Sequence, residues 1–255
     1  MRIVFIGAGN LATHLAEACY AAHHEVLQVY SRTLENAIIL ANRIGAAPIN
    51  DLSQINPTAE LYLFSVKDDA LPDVIEQMPQ TEGLWVHTAG SLPMNIFAEH
   101  HVNYGVLYPL QTFSKKRKIV FDAIPIFVEG SNAATSHQLE EFAATVSGKI
   151  QLLSSEKRRF LHLAAVYACN FVNHMYTLAA EIINKEDIPF EILIPLINET
   201  ASKITTMTPS EAQTGPAVRN DENVMEKHRA LLMDPEKEEL YSMLSKSIFK
   251  YTNSL

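Results

Sequence analysis

Cysteine is scarce in this chain. Its 255 residues contain two, Cys19 and Cys169. They stand far apart inside helical patterns, so buried free thiols in a reducing compartment are expected rather than a disulfide. There is no C-x-x-C pair and no His/Cys cluster, so no metal is expected. Basic charge is also short: 20 Lys and Arg face 29 Asp and Glu, a formal net charge of −9. That balance argues against nucleic acid or an anionic membrane as the main partner, since both require a basic surface. The one basic run, Lys115-Lys116-Arg117-Lys118, reads as a solvated loop. Long apolar runs are missing as well. The opening Met1-Arg2 and its apolar neighbours are not expected to act as a signal peptide, because Asn10, Thr13, His14 and Glu17 break any apolar core, and no stretch is long enough to span a bilayer. A cytoplasmic protein is expected. No repeat or low-complexity linker appears, and 47% hydrophobic residues suffice for a substantial core.

Against these absences stands one organising stretch, Met1 to Ala12. The β-rich run Ile3-Val4-Phe5-Ile6 leads into Gly7-Ala8-Gly9-Asn10-Leu11-Ala12, and helical spacing follows through Ala18. Strand, tight turn, helix is the context that the Gly-x-Gly-x-x-Ala fingerprint of dinucleotide binding needs. Gly7 permits the turn, Gly9 lets the backbone approach a diphosphate, and Ala12 lets helix pack on strand. Free N–H groups at the helix start would face the phosphates.

A second strand, Glu25 to Tyr30, ends in Ser31-Arg32-Thr33. An acidic residue here would accept from the 2′-hydroxyl of NAD and repel a 2′-phosphate. There is none, and Ser31 and Arg32 suit a phosphate, so NADP is favoured over NAD. The spacing predicts a helix over Leu34 to Ile44, strands at Ala46–Ile49, Leu61–Val66, Leu84–His87, Asn103–Tyr108, Ile124–Val128 and Lys149–Leu153, and a helix over Ser136–Val146. Ligands of open α/β sheets collect at the carboxyl ends of strands. Val66, Lys67, His87 and Thr88 are therefore expected beside the cofactor, and Tyr108 and Gln111 nearby.

From Ser154 onward the chain reads as helical. Phe160 to Ile183 contains neither Gly nor Pro and is apolar around its circumference, which predicts one helix buried on all sides. On a regular helix His162, Val166, Cys169, Asn173 and Tyr176 share a stripe roughly 80° wide, with Asn170 on its flank and His174 farther round. Polar groups on a buried helix are paired internally or face a ligand or a subunit interface. Further helices are expected over Pro189–Met207, Glu222–Met233 and Pro235–Tyr251. The turn around Thr214-Gly215-Pro216 and Arg219 suits an anionic or carbonyl-bearing ligand.

With these residues placed, the chain resembles two-domain NADP oxidoreductases in which a Rossmann domain precedes an all-helical one: pyrroline-5-carboxylate reductase, prephenate dehydrogenase and the deazaflavin-dependent NADP oxidoreductases. More closely, it is similar over almost its full length to a bacterial Rossmann-like family with a helical C-terminal domain of unassigned function. The resemblance is carried by Gly7 to Leu15, His87-Thr88-Ala89-Gly90-Ser91, Tyr108-Pro109-Leu110-Gln111-Thr112-Phe113, His162 to His174, and Ala212 to Arg219. Prephenate dehydrogenases carry a catalytic His-Pro where this chain has Tyr108-Pro109, and Phe171 replaces a paired histidine, so prephenate is not the expected substrate.

The expected architecture is α/β, with an NAD(P)-binding Rossmann domain over residues 1–153 and a helical substrate or dimerisation domain over 154–255. The expected function is hydride transfer between NADP(H) and a small polar metabolite bearing a carbonyl, imine or acid. The alternative is a non-catalytic dinucleotide-binding sensor or scaffold dimer. Cofactor contacts are expected from Gly7, Gly9, Asn10, Leu11, Ala12, Ser31, Arg32, Val66, Lys67, His87 and Thr88. Catalytic roles fall to His162 or His87 as acid/base, Tyr108 as hydrogen-bond donor, and Asn170 and Asn173 as orienting groups. Gln111, His174, Thr214 and Arg219 are expected to bind substrate, and the helical domain to form a homodimer.

Overall fold

The computed structural model describes residues 1–252. The chain divides into two compact units, Met1–Asn170 and Phe171–Leu255.

The first unit is built on β1 (Arg2–Ile6), α1 (Asn10–Ala21), β2 (Glu25–Tyr30), α2 (Leu34–Ile44), β3 (Ala47–Ile49), β4 (Leu61–Phe64), α3 (Leu71–Glu76), β5 (Leu84–His87), β6 (Tyr104–Pro109), β7 (Ile126–Gly130), α4 (Ala133–Ala144), β8 (Ile150–Leu152) and α5 (Ser155–Ala165). The strands form one sheet in the order β3-β2-β1-β4-β5-β6-β7-β8. Pairing is parallel throughout except between β6 and β7. This is the α/β arrangement that the sequence predicts, with the strand order reversing between β1 and β4.

Central strands of such a sheet are covered on both faces and read as unbroken apolar runs. All four residues of β4 and all four of β5 are buried. Alternation then sends their side chains to two separate cores. Ile3, Phe5, Leu61 and Leu63 join Ala12, Leu15, Leu40 and Leu139 on one face; Val4, Ile6, Tyr62 and Phe64 join Leu71, Ile75, Trp85 and Phe97 on the other. Helix α2 stops at Gly45, which takes the left-handed φ of 69°.

Helix α5 stays with the first unit because Arg158 is fully buried there. It donates to Glu129 on β7 at 2.8 Å and to the Leu92 carbonyl at 2.6 Å. The boundary expected from sequence, between residues 153 and 154, precedes that helix.

Beyond Ala165 the backbone widens into a π-helical stretch, Val166–Phe171. The second unit continues with α6 (Val172–Asn184), α7 (Ile194–Lys203), α8 (Glu222–Leu232) and α9 (Pro235–Thr252). Two sequence expectations are corrected here. Phe160 to Ile183 is not one regular helix, so the stripe drawn at uniform helical spacing is broken at the π-helical stretch. Nor is it buried on all sides: Phe160, Leu163 and Tyr167 are 69%, 54% and 65% exposed. Cys19 is buried as expected, whereas Cys169 is exposed, and both are free thiols. Within the second unit, Lys237 bridges Glu181 and Asp234 at 3.0 and 2.7 Å, and His228 shares a 2.9 Å hydrogen bond with Tyr241. Among the described residues no helix is long and apolar enough to cross a membrane.

The turn after β1 is a tight constraint in the first unit. Gly7 sits at φ 121°, and a Cβ on it would fall 2.2 Å from the Ser65 carbonyl oxygen. Gly7→Ala should cost the first unit roughly 2–4 kcal/mol, read by urea unfolding through the fluorescence of Trp85, the chain's one tryptophan. An unchanged midpoint would show that the turn relaxes freely.

Candidate functional site

The carboxyl ends of β1, β2 and β4 open onto one groove of about 460 Å³. From β1 come Gly7, Ala8, Gly9 and Asn10; from β2, Ser31, Arg32 and Thr33; from β4, Ser65, Val66 and Lys67. The turn is braced by the Gly7 amide, which donates to the Tyr30 carbonyl at 2.8 Å, and by Thr13, whose hydroxyl and amide both donate to the Gly9 carbonyl. Gly9 is the residue before α1, and no heavy atom lies within 4 Å of where its Cβ would be. The first turn of α1 holds no acidic residue, so its N–H groups and the positive end of its dipole are uncompensated. The groove wall carries three cations, Arg32, Lys67 and Lys115, and no carboxylate. Open backbone, free N–H donors and uncompensated positive charge together fit a polyphosphate ligand.

A second pocket, of about 430 Å³, lies at the end of β6. Its wall combines Tyr108, Leu110, Gln111 and Thr112 with Leu161, His162, Ala165, Val166, Cys169 and Asn170 from α5 and the π-helical stretch. No lining residue is an acid, a lysine or an arginine. Tyr108 and His162 share a 2.9 Å hydrogen bond from the phenol oxygen to Nδ1, with the rings edge-on at 6.0 Å. Behind them the backbone comes close: a Cβ on Gly90 would fall 2.6 Å from His162 Nδ1 and 3.0 Å from Tyr108 Cε2.

Helix α5 owes its placement to polar anchors in the two turns before His162, Ser155 and Arg158. Ser155 Oγ accepts from the Met94 amide at 2.8 Å and from Arg158 at 3.0 Å, while donating to Glu129. Tyr108 is 8% exposed. Burial raises its pKa above the usual phenol value; the Arg158 guanidinium opposes this, and Asp68 adds to it. Asp68 in turn accepts a hydrogen bond from Ser91. A chain of contacts thus runs from Lys67-Asp68 at the first groove to Ser91-Gly90 at the Tyr108–His162 pair.

The expected residues distribute as follows. Gly7, Gly9, Asn10, Ser31, Arg32, Val66 and Lys67 meet in the groove. Ala12 is fully buried and Leu11 packs against the same core, so their side chains serve the contact of helix with sheet. Thr88 is buried, its amide bonded to the Phe64 carbonyl at 3.1 Å, and holds two strand ends together. Tyr108, Gln111, His162 and Asn170 meet in the second pocket. Asn173, His174, Thr214 and Arg219 belong to the second unit, where all four are exposed.

Sequence reasoning assigned no role to Arg158, Gly90 or Ser91, and took Lys115 for a solvated residue. Arg158 falls in the charged run Glu156-Lys157-Arg158-Arg159, and only its burial sets it apart. Lys115 was hidden in a basic run, although the Phe113-Ser114 that precedes it could have signalled an anchored loop.

Two known families match this chain, the second of them across the boundary between the units. The sequence profile of the family described as "NADP oxidoreductase coenzyme F420-dependent" matches residues 2–86. That of a domain of unknown function, DUF2520, matches residues 124–248. A crystal structure from Bacteroides fragilis, named as a candidate NADP oxidoreductase, is 48% identical with a TM-score of 0.92, covering 98% of each chain. A Thermotoga maritima protein is 25% identical with a TM-score of 0.79, covering 98% of this chain and 99% of its own. An imine reductase from Myxococcus stipitatus, solved in complex with NADP+, shares the fold at 15% identity and a TM-score of 0.68, covering 100% of this chain and 93% of its own. Among proteins of curated function, none matches this chain.

His87 requires a correction. It was expected at the crevice rim as cofactor contact or acid/base, but it is fully buried against Phe97, with the Ala89 amide donating to its Nδ1 at 3.2 Å. Burial first, then the nearby Arg158 guanidinium, lower its pKa to about 3, with the Pro93 carbonyl opposing. The unfolded chain takes up this proton near the ordinary value of 6.5, whereas the folded chain refuses it until about 3. Stability from the neutral ring is therefore complete above 6.5 and lost as pH falls toward 3. His87→Leu should flatten the fall in urea midpoint between about pH 7 and about pH 5, removing up to about 1.4 kcal/mol per pH unit. An identical slope in the variant would show that His87 is charged in the folded protein.

Proposed function

We propose, from the premise that this chain belongs to the Rossmann-type NADP oxidoreductase family with a helical C-terminal domain, that it is an NADPH-dependent reductase of a carbonyl or imine carbon in a small substrate with no strong charge. The observation that carries this reading is the Tyr108–His162 hydrogen bond, set in an uncharged pocket at the same sheet edge as the glycine turn.

NADPH when bound supplies the hydride, and the protein must hold it, orient the acceptor and provide a proton. The α1 amides and Gly9 suit the diphosphate, and Arg32 suits the 2′-phosphate. Tyr108 is the proton donor. Burial keeps its hydroxyl protonated well above neutrality, so the acid is available at working pH. As charge develops on the substrate oxygen or nitrogen, the phenol proton moves onto it. Arg158 eases the formation of phenolate, and His162 relays a proton back to it, giving one from Nδ1 through the same hydrogen bond as it takes one from solvent at Nε2. Gln111 and Asn170 are the remaining amides available to orient the substrate. The uncharged wall favours a ketone, aldehyde or imine over an acid, because a carboxylate would be desolvated there without a partner.

Asn173, His174, Thr214 and Arg219 are proposed as substrate-facing residues of the second unit. A homodimer is proposed through the helices, supported by exposed Ile192, Ile194 and Leu196 at 63%, 44% and 63%. Light scattering should give twice the 28.5 kDa chain mass; a monomer at micromolar concentration would end the dimer proposal.

The reaction is tested by following NADPH oxidation with a broad panel of ketones, aldehydes and preformed imines. Tyr108→Phe should lower kcat by roughly 10²-fold or more while leaving the Kd for NADPH unchanged. Wild-type activity should hold through mildly alkaline pH, because the acid titrates above the usual phenol value. Nucleotide binding with no turnover across the panel would favour the passive sensor instead.

A further inference from the structure

Resting on the NADP reading above, we infer that Lys115 is a cofactor-binding residue that neutralises the diphosphate bridge, and that His14 positions it. The loop after β6 delivers Lys115 to the glycine turn, where its Nζ donates to the Ala8 carbonyl at 2.7 Å. Ala8 lies between the two glycines of the fingerprint. A carbonyl exposed at that point would repel a phosphate. The ammonium covers it and reverses the local sign. An ammonium carries three donors, so two remain for phosphate oxygens while Ala8 stays bonded.

The loop is held, not merely near. His14, on the face of α1 below its first turn, is 8% exposed, and its Nε2 shares a 2.9 Å hydrogen bond with the Ser114 carbonyl. Its ring lies 5.7 Å from that of Phe113, which stacks at 6.2 Å on Phe121. The helix whose amides face the phosphates therefore also fixes the lysine beside them. Of the three groove cations, Arg32 sits at the tip of β2, where NADP and NAD differ. Lys115 sits at the turn, where they do not. Its contribution is common to both nucleotides.

Kd values for NADPH and NADH, measured by fluorescence titration on the full chain, separate the roles. Lys115→Gln should weaken both by the same factor, about tenfold for one lost charge-assisted bond. It should also reduce the salt dependence of NADPH binding. Lys115→Arg should keep most of the affinity, and Arg32→Gln should weaken NADPH alone. His14→Leu should reproduce the Lys115→Gln pattern in part, salt dependence included. Unchanged affinity in Lys115→Gln overturns the inference while leaving the NADP reading intact. So does a loss confined to NADPH, or a loss with unaltered salt dependence, which would mark a purely structural tie to Ala8. A wild type that binds neither nucleotide takes both down.

Discussion

Everything at the functional edge of this protein depends on how closely the backbone after β1 passes the end of β4. The Ser65 carbonyl occupies the space where any side chain at position 7 would begin, so the turn closes only with glycine at a positive φ. That closure aims α1 across the sheet edge with its free amides outward. It also sets β1 beside β4, where strand order reverses and the neighbouring connections leave to opposite faces. The slot left between them is a consequence of topology, and the glycine turn gives it a floor that a phosphate can approach.

From that edge two environments diverge. The groove over the turn is cationic and open, whereas the pocket beside Tyr108 has no acid, lysine or arginine in its wall and the Arg158 guanidinium is sealed behind it. Arg158 is tied to Glu129, Leu92 and Ser155, which satisfies much of a charge that would otherwise be costly to bury. In return it locks α5, and hence His162, against β7, the strand that pairs with the one carrying Tyr108. One buried ion pair thus fixes the geometry of the candidate proton donor and also tunes it.

The parts legible in the sequence were those written in local chemistry. The glycine turn, the missing acid after Tyr30, and the apolar runs of the central strands each follow from short-range rules, and the sheet followed from them. What stayed hidden depended on contacts distant in sequence. His87 ends its strand like a rim residue, but side-chain alternation turns it toward Phe97, and β5 is buried on both faces. Lys115 looks solvated beside Lys116 and Lys118 until His14, a hundred residues earlier, is seen to hold its loop. The π-helical stretch has no strong residue signature, so regular spacing carried the predicted stripe straight through it. The apolar helices looked buried because composition registers a need for cover without saying what provides it.

The chemistry of Tyr108 turns on a competition that the structure resolves in one direction. Removing a phenol from water disfavours its anion, and Asp68 adds to that; Arg158 favours the anion. Burial outweighs the guanidinium, so the resting group keeps its proton. A donor that was simply buried would hold the proton too tightly to give it up, and one fully paired with arginine would lose it before substrate arrived. Because Glu129 pairs with Arg158 at 2.8 Å, the field at the phenol is that of an ion pair rather than of a lone guanidinium. The same field grows in value as negative charge forms on the phenol oxygen during transfer. Interactions that strengthen along the reaction coordinate are the ones that lower a barrier, and under the proposed mechanism the arginine would assist the transfer without touching the substrate.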